Sequence, residues 1–221
     1  MLTDVWPLFA LVLRTPRLEL RLPSLEQLAA LGRLADDGVH DPAAMPFTVP
    51  WTDLPPGERS RAVLQYHWST WAELRPARWR LEFAVLAQGG VVGLQGMGVR
   101  DFAVTGEVGT GSWLGARHQG RGIGTEMRAA VLHLAFAGLG ADCAVSAAHT
   151  DNLASQAVSR KLGYAEDGIC RVAVRDRLVV DQRFRIDRAA WQAHRTVPVE
   201  IEGLEPCLPL LGARRPDGPA A

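Results

Sequence analysis

The run Arg117-His118-Gln119-Gly120-Arg121-Gly122-Ile123-Gly124-Thr125 constrains this chain more than any other stretch. It follows a strand-like segment, Thr110-Gly111-Ser112-Trp113-Leu114, and opens into a helix. Along that helix Ile123, Met127, Ala130, Val131, Leu134 and Ala135 recur at helical spacing until Gly138-Leu139-Gly140. Three glycines at alternate positions expose successive backbone N–H groups just where a helix leaves its first donors unpaired. With the positive end of the helix dipole and Arg121, they predict a site for a phosphorylated ligand.

Strands and helices alternate around that turn. Leu18-Glu19-Leu20-Arg21-Leu22 has the period of a strand, and the apolar run from Trp6 to Leu13 reads as a strand before it. Ser24 and Gln27 stand at capping-box spacing, and Leu25, Leu28, Leu31 and Leu34 carry a helix to Asp37-Gly38. Residues 39–56 form a proline-rich, aromatic connector, long enough inside a compact domain to suggest that it serves a site. A second helix spans about 57–74, and Arg80–Leu86 and Val91–Gln95 form a hairpin around Gln88-Gly89-Gly90. Glu107 to Leu114 is a strand interrupted by Gly109 and Gly111, which mark a bulge or a close backbone approach. A short buried strand at Cys143–Ala147, a helix from Asp151-Asn152 to Leu162 and a final hairpin near 169–176 and 178–186 complete the order βααβββαβαββ, a mixed α/β chain.

Composition narrows the function classes. Lysine and arginine number 24 and so do the acids, so nothing in the charge balance points to a nucleic-acid-binding or membrane-attracted surface. Cys143, Cys170 and Cys207 are far apart and odd in number, without metal-ligand spacing, so neither a disulfide framework nor a metal site is expected. A cytoplasmic location follows. The N-terminal apolar run lacks a basic lead and a small-residue cleavage site, and it is too short to span a bilayer.

The glycine turn suits more than one phosphate ligand. A dinucleotide-binding unit wants an acid at the end of the next strand, roughly 20 residues on, but Asp142 precedes the strand Cys143–Ala147. A nucleoside-triphosphate loop wants a lysine before Thr125, and none is present. Gln119-x-x-Gly122-x-Gly124, by contrast, resembles the Gln/Arg-x-x-Gly-x-Gly/Ala signature of the Gcn5-related N-acetyltransferases (GNAT). Asn152-Leu153-Ala154-Ser155, then Arg160-Lys161-Leu162-Gly163-Tyr164, and the preceding Gly111-Ser112-Trp113-Leu114 strand resemble the ribosomal-protein-alanine N-acetyltransferase branch. The resemblance covers roughly residues 14–190.

It implies a GNAT fold: a central mixed, mostly antiparallel twisted sheet of about seven strands flanked by helices, with two splayed strands forming an acyl-CoA cleft. Residues 1–191 would be the acyltransferase domain, 192–212 an extension packed on it, and 213–221 a disordered tail. The co-substrate implied is acetyl-CoA or another acyl-CoA, without a metal, and a homodimer is the family expectation. The acceptor would be an amine: a protein N-terminus, a lysine or a small amine.

Carried over by resemblance, the backbone amides of Gln119, Gly120, Arg121, Gly122, Ile123, Gly124 and Thr125 hold the pyrophosphate. Leu114, Gly115 and Ala116 line the pantetheine arm, and Asn152 contacts it. Ser155 protonates the departing thiolate, because the tyrosine that many members carry seven residues after the asparagine is Ser159 here. Glu107, on the strand feeding the site, is the candidate base, with a solvated surface carboxylate as its plainer reading. Phe47 and Trp51 in the connector, with His67 and Trp68 in the second helix, would wall the acceptor site. The function so implied is acyl-CoA-dependent N-acyl transfer by direct attack of the amine, with acetyl as donor group. Two alternatives stay open: a succinyl donor, and a non-catalytic acyl-CoA-binding domain.

Overall fold

The computed structural model describes residues 1–213; the expected tail lies, except for Ala213, outside the described residues. Ala213 itself packs on the core and donates its amide to Leu208 at 3.1 Å.

Nine strands form one sheet: β1 (Val12–Arg14), β2 (Leu18–Arg21), β3 (Arg78–Ala87), β4 (Gly90–Arg100), β5 (Glu107–Leu114), β6 (Cys143–His149), β7 (Ala165–Val174), β8 (Arg177–Asp187) and β9 (Glu200–Glu202). Their spatial order is β7-β8-β6-β5-β4-β3-β2-β1-β9. Every neighbouring pair is antiparallel except β5 and β6. The helices are α1 (Leu2–Val5), α2 (Leu25–Asp36), α3 (Glu58–Ala72), α4 (Phe102–Thr105), α5 (Ile123–His133), α6 (Leu153–Lys161) and α7 (Arg188–His194). Among the described residues no helix is long and apolar enough to cross a membrane.

The mixed sheet matches the expectation, with nine strands in place of about seven. One addition lies in the stretch 192–212: β9 pairs with β1 and extends the sheet edge. At the chain's start, the strand expected over Trp6–Leu13 is cut short to Val12–Arg14. Pro7 opens a 3-10 turn over Pro7–Ala10, and pairing begins only at Val12. Proline's fixed φ and missing N–H suit the first position of a helical turn and interrupt a ladder.

Helices α5 and α2/α3 cover opposite faces of the sheet. Ser24 caps α2 as its spacing predicted: its hydroxyl accepts from Gln27 N–H, and Gln27 Oε1 accepts from Ser24 N–H at 2.9 Å. The main core joins α5 (Met127, Ala130, Val131) to Leu20, Leu81, Phe83 and Met97 of the sheet. A second cluster joins Leu28 and Leu31 of α2 and Val63 of α3 to Ala84 and Leu94 on the other face.

Strands β5 and β6 are in register at only three places, Glu107–Cys143, Val108–Ala144 and Gly109–Val145. Beyond Gly109 they separate, so the edge of β5 that faces β6 has no partner strand. Backbone donors and acceptors that lose a ladder partner need another, and an extended ligand can supply it as an added strand would.

Candidate active site

A cleft of about 520 Å³ opens between the separating strands, lined by Leu114, Gly120, Gly122, Gly124, Thr125, Asn152 and Ser155 among others. The glycine turn forms one end. Gly120 and Gly122 take φ values of +71° and +77°, the left-handed region in which a side chain is strained. Gln119 N–H reaches the Ala116 carbonyl and Glu126 N–H reaches Gly122. Between those two positions no backbone amide finds a protein acceptor among the described residues. Six consecutive amides, 120 to 125, are therefore open at the positive end of α5, an arrangement that favours an anion.

Glu126 pins this turn. Its carboxylate, almost fully buried, accepts from Arg17 Nε at 2.6 Å, Arg17 N–H at 3.1 Å and Thr15 Oγ1 at 2.6 Å, while Arg17 Nη1 donates to the Arg121 carbonyl. An acid in the first helical turn also complements the dipole.

The residues carried over from the sequence fall into two groups. Leu114, Gly120, Gly122, Gly124, Thr125, Asn152 and Ser155 line the cleft. Gln119 lines it too, but its amide is taken up by Ala116, and its side chain ties Val39 and Leu114 carbonyls together at 2.6 and 3.0 Å. Gly115 and Ala116 do not line it: their amides bond Val92 and Gly38, and a side chain at Gly115 would meet Leu34. Arg121 is exposed and Ile123 packs in the core, so they bring only backbone amides to the turn. Asn152, expected to contact the pantetheine arm, also serves as a helix cap. Its Oδ1 caps α6 by accepting from Ser155 N–H at 3.1 Å, which leaves its Nδ2 for a ligand. Ser159 is buried away from the cleft and donates to the Ser155 carbonyl.

A second cavity, of about 470 Å³, lies on the α2/α3 face. It shares Phe47, Thr48, Gly111, Ser112 and Trp113 with the first, so the two meet where β5 leaves β6. Phe47, Trp51 and His67 line it as expected. Trp68 does not; it is 46% exposed, one step round α3 from the inward face. The connector's aromatics form a continuous chain: Phe47 to Trp51 at 5.2 Å between ring centres, and Trp51 to Trp113 of β5 at 5.6 Å. Such contacts are worth about 0.5–1.5 kcal/mol each beyond their buried area. They give an ordered shape to a connector without long secondary structure.

Glu107 is placed away from both cavities. It stands at the closed end of the β5–β6 pair, where Arg185 Nη2 donates to it at 2.8 Å. The carboxylate in the second cavity is Glu82 of β3, 1% exposed, which the sequence reading passed over. Tyr66 Oη donates to Glu82 Oε1 at 2.6 Å, and Arg80 Nε donates to the same oxygen at 3.0 Å. Burial, and then the adjacent Glu82 charge, raise the Tyr66 phenol well above its ordinary value, so it stays a donor. Burial lowers the His67 imidazole, whose Nδ1 bonds the Val63 carbonyl at 2.8 Å.

A signal for Glu82 did exist. Across the sheet Glu82 pairs with Gly96, and Gly96 with Gly111. The next rung is Arg80, Gly98 and Gly109. Glycine pairs beside a polar strand face clear room over the sheet for long side chains.

The second overlooked residue is Arg128 of α5, 3% exposed and lining the cleft. It bridges the separating strands, donating from Nη1 to Ser146 Oγ at 3.0 Å and from Nη2 to Ser112 Oγ at 3.1 Å. Among the described residues its Nε has no hydrogen-bond partner and no carboxylate pairs with it. Among the described residues no group of three His, Cys, Asp or Glu side chains is arranged to hold a metal ion.

Residues 17–165 match the family model described as an acetyltransferase (GNAT) domain. The chain belongs to the GNAT family. The GNAT fold recurs in solved structures of low identity. RimJ of Mycobacterium smegmatis, in complex with a CoA disulfide, is 20% identical with a TM-score of 0.66, over 83% of this chain and 90% of that one. RimL, a ribosomal L7/L12 α-N-protein acetyltransferase in complex with CoA, is 17% identical with a TM-score of 0.64, over 80% and 97%. MccE, a microcin C7 self-immunity acetyltransferase in complex with acetyl-CoA and AMP, is 17% identical with a TM-score of 0.60, over 78% and 93%. As a GNAT protein, the chain is a transferase of the acyl-CoA-dependent N-acetyltransferase class.

Proposed function

We propose that this GNAT protein transfers an acetyl group from acetyl-CoA to a primary amine, with Glu82 as the proton acceptor. One observation carries the reading: a cleft ending in six open amides meets, at Gly111–Trp113, a cavity holding, among the described residues, a single buried carboxylate. The amides would hold the pyrophosphate, and the unpartnered edge of β5 would take the pantetheine arm. Glu82 removes one proton from the incoming ammonium, and the neutral nitrogen attacks the thioester carbonyl. As the C–N bond forms and the C–S bond breaks, an unpaired N–H on β5 beyond Gly109 offers a fixed donor to the carbonyl oxygen. The departing sulfur takes its proton from the Ser155 hydroxyl, which is re-protonated by the one the nitrogen sheds. The net products are amide, free thiol and one proton released to solvent. General-base catalysis of this kind is worth roughly 10²–10⁴-fold in rate.

Arg128 favours a second donor. A buried guanidinium without a carboxylate partner is costly, and an acyl group carrying its own carboxylate, such as succinyl, would supply one. The two donors separate in one experiment: thiol release from acetyl-CoA and from succinyl-CoA with an amine panel, in the wild type and in Arg128→Leu. Acetyl preference in both proteins supports the first reading. Succinyl preference lost in the variant supports the second. Thiol release with neither donor, despite binding, returns the chain to a non-catalytic acyl-CoA-binding role.

A further inference from the structure

The acidic and guanidinium side chains lining the acceptor cavity, Glu82 and Arg80, lie along one line of the sheet, and that line is ordered. Three rungs of the sheet present the same face to it: Arg80–Gly98–Gly109, then Glu82–Gly96–Gly111, then Leu94–Trp113. Cation, anion and apolar wall therefore follow one another, two residues apart along each strand, roughly 7 Å by strand rise.

Each zone has unused capacity of a different kind. Arg80 bonds Glu82 Oε1 and Tyr66 Oη through Nε alone, each at 3.0 Å. Its two Nη groups find no protein acceptor among the described residues, and its side chain is half exposed at the cavity. A guanidinium with both Nη groups free matches a carboxylate in planar, two-point fashion. Among the described residues Glu82 is the one carboxylate lining the cavity. Beyond it Phe47, Trp51, Trp113 and Leu94 offer aromatic and aliphatic surface.

The complement of this order is a molecule with a carboxylate, an adjacent ammonium and a large apolar group. We propose that the acceptor is a free α-amino acid with an aromatic side chain. Its ammonium would lie at Glu82 beside Gly111, its carboxylate on the Arg80 Nη groups, and its ring among Phe47, Trp51 and Trp113. The proposal rests on the transfer reading above and names its substrate class. A peptide N-terminus lacks the adjacent carboxylate and leaves the Arg80 Nη groups unmatched; a lysine side-chain amine carries neither neighbour at that distance.

The test compares kcat/KM for L-tryptophan, L-phenylalanine, their amides, L-alanine and a tryptophan-initiated tripeptide, with acetyl-CoA and with succinyl-CoA. Losing a charge-assisted hydrogen-bonded pair costs roughly tenfold to a hundredfold, so each aromatic acid should exceed its amide by that factor and exceed alanine by more. Arg80→Gln should bring the acid-to-amide ratio close to one, and Arg80→Lys should restore part of it. Calorimetric binding of tryptophan and tryptophanamide to the CoA-saturated protein should give the same order without turnover. Amides or the tripeptide acylated as well as the acids, or an acid-to-amide ratio unmoved by Arg80→Gln, overturns the acceptor proposal and leaves acyl transfer standing. Failure of every amine in a panel widened to polyamines and lysine peptides, with acyl-CoA still bound, overturns both.

Discussion

The carboxylate of Glu82 occupies the place where a side chain at Gly96 would begin: a Cβ there would meet Glu82 Oε2 at 2.5 Å. Gly111, the next residue across the sheet, has nothing within 4 Å of its own missing Cβ. Two glycines in adjacent strands thus keep open the lane from a buried carboxylate to the unpartnered edge of β5. An acceptor nitrogen needs that lane to pass from its base to a thioester.

Glu82→Gln keeps the shape and the hydrogen bond from Tyr66 but removes the proton acceptor. Thiol release should fall roughly 10²–10⁴-fold, while the rise in melting temperature on adding CoA stays as in the wild type. A loss of less than threefold would move the base elsewhere.

Gly96→Ala tests the lane itself. Its methyl must displace the Glu82 carboxylate, so kcat should fall along with stability, the latter by about 1–3 kcal/mol for an overpacked interior. Gly111→Ala meets open space in the fold and should reduce turnover without lowering the melting temperature. The pair of variants, measured by urea denaturation and initial rates, separates packing from reach.

Gly124→Glu is the cleaner probe of the phosphate turn. Gly122 has a positive φ that any side chain would strain, but a Cβ at Gly124 makes only van der Waals contacts, with Val158 at 3.7 Å and Leu114 at 3.9 Å. A carboxylate facing the open amides should abolish the thermal shift by CoA and leave the ligand-free melting temperature within a few degrees. Unchanged CoA affinity would count against pyrophosphate binding at this turn.

Asp53, just after Trp51, pairs with Arg175 in the turn between β7 and β8; Arg175 Nε donates to Asp53 Oδ2 at 2.8 Å. This contact joins the connector carrying the acceptor wall to the far hairpin. Exposed pairs contribute little to stability, so Asp53→Ala should leave melting unchanged. The KM for the amine should rise severalfold, with CoA affinity unaffected. Equal KM values would confine the ion pair to the surface.

His67 sets a pH dependence of stability. Burial holds its folded-state value below the ordinary 6.5, so as pH falls through that value the unfolded chain takes up a proton that the folded chain resists. Stability is then full at neutral pH and declines on acidification through the window just below 6.5. His67→Gln should flatten the fall in melting temperature between pH 7 and 5, read against the wild type; parallel curves would assign the acid sensitivity to other groups.

Local chemistry carries the parts of this protein that its sequence alone decided. Ser24 and Gln27 specify a helix start, Gly120 and Gly122 specify left-handed backbone, and the spacing from Ile123 to Ala135 specifies one apolar helix face; each depends on residues within a turn or two. The cleft's glycine turn and its capping asparagine were legible for that reason. Glu82, Arg80 and Arg128 were not. Alternation along β3 places Glu82 opposite Leu81 and Phe83, but whether that second face meets water or α3 is settled by packing between segments far apart in sequence. The same holds for Glu107, whose place on a strand was legible while its position along β5 put it at the closed end of the pair. Register across three strands, and the point at which β5 parts from β6, are tertiary quantities. They decided which carboxylate is buried at the cavity and which stays at the rim with Arg185, because only the folded sheet determines what lies beside a side chain from another strand.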